Sequence, residues 1–308
     1  MKSFYIRRII SILITIILIT SLTFTMMHSI PGGPFTRERP VPDEILRALN
    51  EKYNLDDPKI VQYFNYMKGL VTFDLGPSYS KTGTSVNEMI ESGFPVSAKI
   101  GLMATLLIIV IGIPFGIISA LKQNQTIDYV VMVIATLGIT VPSFVIATLF
   151  IYFFAGKLGW VPTFGLSTPA SYVGPVLALA GYSLSFVTRL TRSSMLEVMR
   201  QDYIRTARAN GLKEFSVIYK HAIKNALIPV VTYIGPMIAA ILTGSFVIEK
   251  IFAINGIGRH FVESVSNRDY TTIMGITVFY AFFYLIMIFL VDIAYSLLDP
   301  RIKLKEGK

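Results

Sequence analysis

The stretch IISILITIILITSLTFTMM, from Ile9 to Met27, decides the fold class of this chain. It carries no charged residue and is nearly as long as the ~20 apolar residues that a helix needs to cross a bilayer. Lys2, Arg7 and Arg8 precede it, so a cleaved secretory signal is the competing interpretation. Signal h-regions have about 7–15 residues and end at a small-residue cleavage site. Because this run is longer, it predicts an uncleaved first transmembrane helix.

Five further apolar runs follow along the chain. They are Ile100–Leu121, Val130–Ala155, Tyr172–Thr188, Leu227–Ile248 and Ile273–Leu298. The second of these runs contains Pro142, and the third is short and holds two glycines and a proline. Backbone N–H and C=O groups cannot stay unpaired in lipid, so each run is predicted to be a helix. The chain is therefore predicted to be an all-α integral membrane protein with about six transmembrane helices.

The composition supports a membrane protein and excludes several kinds of site. Hydrophobic residues make up 53% of the chain and charged residues 15%, with a mean hydropathy of +0.60. The chain has no cysteine, which excludes disulfides, thiolate metal sites and cysteine nucleophiles. His28, His221 and His260 lie far apart in the sequence and form no ligand cluster, so no metal site is expected.

The basic residues predict the orientation in the membrane. Once the long segment after the first helix is left out of the comparison, Lys and Arg concentrate on the side that holds both termini. That side receives the N-terminal residues, the run from Arg189 to Lys224 and the C-terminal tail. The net charge of +9 is thus a topology signal rather than a sign of nucleic-acid binding. Both termini are predicted to be cytoplasmic.

The outer segment from Pro31 to Ser97 is predicted to hold two or three short amphipathic helices. Asp43 and the pair Asp57-Pro58 are candidate helix starts. Ser85-Val86-Asn87-Glu88 fits a capping box. These helices either lie on the membrane surface and cap the bundle, or form a docking surface for an outside partner.

The inner segment from Arg189 to Ala226 is the longest predicted cytoplasmic stretch, and it contains DYIRTARANGL from Asp202 to Leu212. A helix rich in small residues runs into Gly211, which suits a sharp turn because glycine adopts positive φ freely. A second helix follows, with Phe215, Val217, Ile218, Ala222 and Ile223 as its apolar positions. The segment is predicted to be a helix–turn–helix protrusion. A basic loop that touches lipid headgroups is the alternative.

Short motifs along the chain resemble a known family of transporters. They are DYIRTARANGL (Asp202–Leu212), HAIKNALIP (His221–Pro229), DLGPS (Asp74–Ser78), GITVPSF (Gly138–Phe144), GSFVIEKIF (Gly244–Phe252) and NRDY (Asn267–Tyr270). Taken in the order in which they occur along the chain, they resemble ABC importer permeases of the oligopeptide/dipeptide/nickel family over nearly the whole chain. The resemblance is strongest to the B-type permease subunit of an oligopeptide importer.

The resemblance implies a type I importer permease fold in a bacterial plasma membrane. In this family two related permeases pair, and each presses a coupling helix into one of two cytoplasmic ATPase subunits that bind ATP and Mg²⁺. An extracytoplasmic substrate-binding protein delivers the peptide, and the permeases alternate access to a central cavity. By this resemblance the chain is a non-catalytic transport subunit without a cofactor of its own.

Carried over by resemblance, the ATPase-coupling segment is Asp202–Leu212. Its candidate coupling residues are Asp202, Tyr203, Arg205, Thr206, Ala207, Arg208, Ala209, Gly211 and Leu212. Thr206, Ala207 and Ala209 keep the helix slim enough for a groove, and two arginines offer charge to an acidic partner. The general importer signature has an acidic residue where this chain has Arg205.

The hinge candidates come from the residues of the spans themselves. Pro142 and Pro236 each interrupt the backbone hydrogen bonding of a predicted span and are expected either to bend it near the translocation path or only to pack.

The residues also address three alternatives. The chain has no G-x-x-x-x-G-K-[ST] motif, so the ATPase is expected on another chain. A proton-coupled secondary transporter is disfavoured because no internal repeat is evident, and Asp292 in the last span is expected to form a structural ion pair. An intramembrane enzyme would need a nucleophile or metal set in the spans, and the runs show none. A dipeptide, nickel or other solute importer of the same family remains open.

The predicted organisation has four parts. Residues 1–29 form the N-terminal tail and first helix, and residues 30–98 form the extracytoplasmic segment. Residues 99–298 form a five-helix core that includes the cytoplasmic segment 189–226. Residues 299–308 form a basic tail.

Overall fold

The computed structural model describes residues 2–35 and 42–298. Within these ranges the chain is helical and has no β-strand, apart from an isolated bridge between Pro77 and Ser85. This confirms the all-α fold class. The predicted basic tail, residues 299–308, lies outside the described residues.

The α-helices are numbered in chain order. They are α1 (Lys2–Ser29), α2 (Asp43–Lys52), α3 (Lys59–Val71), α4 (Val86–Leu107), α5 (Ile113–Leu121), α6 (Thr126–Thr140), α7 (Ser143–Phe150), α8 (Val173–Met199), α9 (Asp202–Ala209), α10 (Glu214–Ser216), α11 (Ile223–Leu242), α12 (Phe246–Ile251), α13 (Ile257–Ser266) and α14 (Tyr270–Leu298). Three π-helical segments adjoin these helices, Ile108–Gly112, Ile151–Lys157 and Val217–Ala222, and Pro169–Tyr172 forms a 3₁₀ turn before α8.

Five helical stretches among the described residues are long and apolar enough to cross a membrane. They are Ile6–Ser29, Val86–Leu121, Pro169–Met199, Glu214–Ile251 and Tyr270–Ile293. A sixth crossing would use α6 and α7 together, because Thr126–Thr140 and Ser143–Lys157 form a bent pair of apolar helices whose combined length is sufficient. This agrees with the prediction of about six spans.

The span predicted from Val130 to Ala155 is not one straight helix. α6 ends at Thr140, Val141 is extended with φ −83° and ψ 120°, and α7 begins after Pro142. The two helices are bent by 104° relative to each other. Proline has no N–H to donate and disfavours helical backbone in the residue before it. The predicted run is therefore two helices rather than one, and the break lies at Pro142, where a bend was one of the two expected outcomes.

The helices of two other spans are longer than the apolar runs that predicted them. α4 begins at Val86, before the predicted start at Ile100. Its N-terminus is closed by the predicted capping box, in which the Glu88 amide donates to Ser85 Oγ at 3.2 Å and the Ser85 amide donates to Glu88 Oε2 at 3.1 Å. α8 runs to Met199, well past the predicted end at Thr188.

The described residues divide into two compact units. The first comprises the chain up to Val96 together with Asn255–Phe289, and the second comprises Ser97–Ile254 with the residues from Leu290 onward. In the first unit, α2 and α3 confirm the predicted short helices, but their starts differ by one residue from prediction. Asp43 is the first residue of α2, and Pro58 rather than Asp57 precedes α3, without a side-chain cap.

A buried carboxylate holds the first unit together between distant parts of the sequence. Asp269 is 1% exposed and accepts hydrogen bonds from Ser78 Oγ at 2.5 Å, Ser80 Oγ at 2.8 Å and the Tyr79 amide at 3.1 Å. It also accepts one from the Thr272 amide at 3.2 Å, and so caps the N-terminus of α14. Burial raises the pKa of Asp269, but these hydrogen bonds outweigh burial and hold the pKa below its ordinary value. Two of the motifs, DLGPS and NRDY, meet in this way.

The second unit is built around α8, which packs against its neighbours through small residues. A methyl group on Gly116 of α5 would lie 2.5 Å from Cβ of Thr191. A methyl group on Gly138 of α6 would collide with the Ser185 hydroxyl. Glycine therefore lets α5 and α6 approach α8 closely, as is common where helices pack in membranes.

Candidate coupling site

The helix predicted to couple the chain to an ATPase is α9, which has a defined start and end. Gln201 is extended with ψ 149°, and Asp202 places an acidic side chain in the first turn, where the helix dipole favours negative charge. At the other end, the Gly211 amide donates to Arg208 O at 3.0 Å and the Leu212 amide donates to Ala207 O at 3.4 Å. Gly211 has φ +77°, as its position predicted. These bonds form a Schellman motif, which stops the helix and reverses the chain.

One face of α9 is packed into the core of its own chain. Ile204 is 0% exposed and Ala207 7% exposed, and the two lie three residues apart on one side of the helix. They belong to a core cluster completed by Ala120, Met195, Val217, Ala222 and Ala226. The prediction that Ala207 contributes to a slim outward surface is therefore wrong, because Ala207 faces inward.

The opposite face of α9 is open. Asp202, Arg205, Thr206 and Ala209 are exposed and follow helical spacing along one stripe. Thr206 also donates from Oγ1 to the carbonyl of Asp202 at 3.0 Å, which turns this hydroxyl back onto the helix. The stripe therefore consists of short side chains, apart from the longer side chain of Arg205.

The two arginines of α9 have different surroundings. Arg208 donates to both carboxylate oxygens of Glu214, from Nη2 at 2.6 Å and from Nε at 3.1 Å. This pairing raises the pKa of Arg208, and it joins the end of α9 to the start of the next helix. Arg208 is therefore engaged within the chain instead of being held out to a partner. Arg205 pairs with the exposed Asp202 at 3.3 Å, and such surface pairs contribute at most about 1 kcal/mol.

The turn after α9 carries aromatic residues whose exposure was not predicted. Phe215 was predicted only as one of the apolar positions of the second helix, and it is 79% exposed, while Val217 and Ala222 are buried. Its ring stacks on that of Tyr219, itself 64% exposed, with centroids 5.8 Å apart. Tyr203 OH accepts a hydrogen bond from Asn225 Nδ2 at 2.8 Å. The four-residue spacing of Phe215 and Tyr219 was the signal for this pair.

A buried ion pair supports α8, the helix that leads into α9. Asp128 is 2% exposed and accepts from Arg192 Nε at 2.7 Å and from Arg192 Nη2 at 2.8 Å. It also accepts from Ser119 Oγ at 2.5 Å and from the Asn124 amide at 2.9 Å. Hydropathy missed Asp128 because the predicted span began two residues later, at Val130. The predicted ion pair of Asp292 stays a prediction.

Comparison with known proteins decides what kind of protein carries this site. Residues 112–304 match the family described as binding-protein-dependent transport system inner membrane component, and residues 1–100 match the family described as the N-terminal part of the membrane component of such systems. This chain belongs to that family of permeases. The permease is thus a multi-pass protein of the inner membrane and the transmembrane subunit of an ABC importer.

Relatives and solved structures agree with this assignment. The dipeptide transport system permease protein DppB of Bacillus subtilis is 51% identical over the whole length of both chains. The oligopeptide transport system permease protein OppB of Salmonella typhimurium is 41% identical, across 98% of the permease and 100% of that protein.

Two solved ABC transporters share the fold at low identity. An inward-facing form of the MetNI methionine ABC transporter matches with a TM-score of 0.51 and 17% identity, over 68% of the permease and 94% of that chain. An amino acid ABC transporter with histidines matches with a TM-score of 0.53 and 20% identity, over 67% and 92% respectively.

The two predicted hinge residues occupy different positions in the permease. Pro142 lies at the break between α6 and α7, and Pro236 lies inside α11 together with Pro229. No group of three or more potential metal ligands occurs among the described residues.

Proposed function

We propose that the permease imports peptides across the inner membrane and that α9 couples this transport to ATP hydrolysis by a partner subunit. The observation that carries the proposal is the division of α9 into two faces. Ile204 and Ala207 anchor one face in the permease core, and Arg205, Thr206 and Ala209 leave the other face open. A helix that is fixed on one side and exposed on the other is suited to transmit force.

The mechanical connection runs through three elements. α9 follows α8 directly after Arg200 and Gln201, and the Arg208–Glu214 ion pair joins it to the helical stretch that continues into α11. A partner that moves the open face of α9 therefore moves α8 and α11 with it. In this proposal, closure of the ATPases drives alternating access in the membrane.

The partners follow from the family. We infer a second homologous permease subunit, two cytoplasmic ATPase subunits that bind ATP and Mg²⁺, and an extracytoplasmic binding protein that delivers the cargo. The permease contributes no catalytic residue to this reaction. Its candidate coupling residues are those of the open stripe of α9 together with Gly211 and Leu212, the latter 42% exposed.

Bulky substitutions on the open face test the coupling role. Thr206→Trp and Ala209→Trp are expected to insert normally and to lose ATPase co-purification and peptide uptake. Gln123→Trp, at an exposed position in the turn between α5 and α6, is the matched control and should keep both. Ala207→Trp should instead reduce the level of folded permease, because Ala207 is buried. Normal uptake by both open-face variants would remove α9 from the coupling pathway.

Peptide cargo is supported by the relatives, one named for dipeptide and one for oligopeptide transport. Uptake of a labelled tripeptide in competition with dipeptides and longer peptides would distinguish the two cargo classes. Uptake should require ATP and persist when an uncoupler removes the proton gradient. Uptake that follows the proton gradient and ignores ATP would establish a secondary transporter instead.

The orientation with both termini in the cytoplasm is tested by cysteine labelling, because the chain has no native cysteine. An impermeant reagent applied to intact cells should label Glu51→Cys and leave Gln123→Cys unlabelled. Both positions are exposed in the structure. The reverse pattern would invert the topology.

A further inference from the structure

Helix α3 carries an apolar face that the described residues leave uncovered. Ile60 is 61% exposed, Phe64 62% and Val71 77%, and Phe73 just beyond the helix is 76% exposed. Ile60, Phe64 and Val71 recur at helical spacing, so they lie on one side of α3. An apolar stripe of this kind marks a surface that contacts lipid or another protein.

Residues beside and opposite this stripe attach α3 to the transmembrane helix α1. Tyr63 OH and Ser21 Oγ are hydrogen-bonded at 2.7 Å, and Gln62 Oε1 lies 3.2 Å from His28 Nε2. The rings of Phe24 and Tyr63 meet edge to face with centroids 5.4 Å apart. These contacts bind α3 to the last three turns of α1.

This attachment sets the depth of α3. The apolar stretch of α1 that can cross a membrane extends from Ile6 to Ser29, so Ser21 and Phe24 lie within it. Ser21 precedes Ser29 by about 12 Å of helix at the usual rise per residue. Helix α3 is therefore held at the height of one end of the hydrocarbon layer and not above it in water.

The exposed side chains around this height suit lipid. On α1, Leu18, Leu22 and Met26 are 62%, 63% and 56% exposed and repeat every fourth residue, which gives α1 its own lipid-facing stripe. On α3, Lys68 lies in the apolar stripe four residues after Phe64. A lysine at this position extends its stem along the apolar surface and places its ammonium among the headgroups.

We propose that α3 is an in-plane helix seated in the lipid leaflet at the carboxyl-terminal end of α1. Ile60, Phe64, Val71 and Phe73 enter the boundary between headgroups and acyl chains, and Lys68 contacts phosphate. The hydrogen bonds to Ser21 and His28 then fix α1 laterally against a helix that cannot leave the interface. Helix α2, whose residues are not buried, remains available to a protein partner.

Fluorescence quenching tests the lipid contact in the intact permease. Phe64→Cys and Val71→Cys are labelled with bimane and reconstituted with their partner subunits in phosphatidylglycerol–phosphatidylcholine vesicles with ordinary or brominated acyl chains. Bimane at both positions should be at least about twofold dimmer in brominated lipid, since interfacial helices insert about 5–10 Å into the acyl boundary. Glu51→Cys on α2 is the matched control and should respond to aqueous iodide only.

Two results would overturn the proposal. Quenching of both α3 labels by iodide, with no response to brominated lipid, would place the stripe in water. Protection that appears only after the substrate-binding protein is added would assign the stripe to that protein. Each labelled variant is first checked for uptake, and if Phe64→Cys fails to insert, Val71→Cys alone decides the question.

Discussion

Removal of the buried carboxylate Asp128 is expected to destabilise the permease more than removal of any surface charge. The substitution Asp128→Ala takes away the acceptor of four hydrogen bonds, two from Arg192 and one each from Ser119 and the Asn124 amide. The side chain of Arg192 is only 23% exposed, so water reaches little of the guanidinium that is left behind.

The expected cost follows from this burial. Breaking a buried ion pair by removing one partner costs about 3–5 kcal/mol, because the remaining charge is uncompensated. Arg192→Met should cost somewhat less, since Asp128 keeps its bonds from Ser119 and Asn124. The double variant Asp128→Ala with Arg192→Met should cost less than the sum of the single variants, because it leaves no uncompensated charge buried.

A double-mutant cycle measures this coupling. Unfolding of the permease is followed in mixed micelles across a denaturant titration, for wild type, both single variants and the double variant. Asp202→Ala, which removes half of an exposed pair, is the control and should cost less than about 1 kcal/mol. Single variants that cost no more than this control, or that add within about 0.5 kcal/mol in the double variant, would refute the role of the pair.

Three further predictions concern the turn, the hinges and a histidine. Gly211 has a positive φ but free space beside it, so a side chain there meets backbone strain and no clash. Gly211→Val should therefore cost about 1–3 kcal/mol and Gly211→Asn less. The measurement is ATPase co-purification, which should fall more for the valine variant. Pro142→Ala and Pro236→Ala should lower uptake more than membrane level, and unchanged uptake in both would limit these prolines to packing. Burial and the Lys81 cation lower the pKa of His260 below its ordinary 6.5. The folded state therefore favours neutral His260, and this contribution to stability is present above pH 6.5 and is lost as the pH falls below it. In wild type the thermal unfolding midpoint should fall between about pH 7 and pH 5, and His260→Gln should make that fall smaller. An equal fall in both proteins would contradict the prediction.

The sequence predicted the local features of the permease well because each depends on neighbouring residues. Gly211 ends a helix with positive φ, and Ser85 and Glu88 cap one, as short-range hydrogen bonding requires. The spans followed from hydropathy, and a bend at Pro142 was one of two expected outcomes. The size of that bend could not be predicted, since a proline in an apolar run is compatible with a kink or a full break. Here the extended Val141 makes it a break of 104°.

Long-range contacts could not be derived from one sequence. The Asp128–Arg192 pair joins residues 64 positions apart, and no local pattern connects them. The sequence could predict which side of α9 is apolar, because Ile204 and Ala207 are three residues apart on a short polar helix. Their partners, such as Met195 and Ala226, come from other helices, and only packing shows that Ala207 is buried.

The hydrogen bonds of Asp269 also constrain how the permease is made. Ser78 and Asp269 are 191 positions apart, so the loop at Ser78 leaves the ribosome about 10–40 s before its acceptor at about 5–20 residues per second. During that interval the N-terminal unit lacks the residues from Asn255 onward and has to wait among chaperones and insertion machinery. The first unit can therefore fold completely only after the residues from Asn255 onward have been synthesised. A nascent chain that stalls before that point exposes an incompletely folded unit to quality-control proteases.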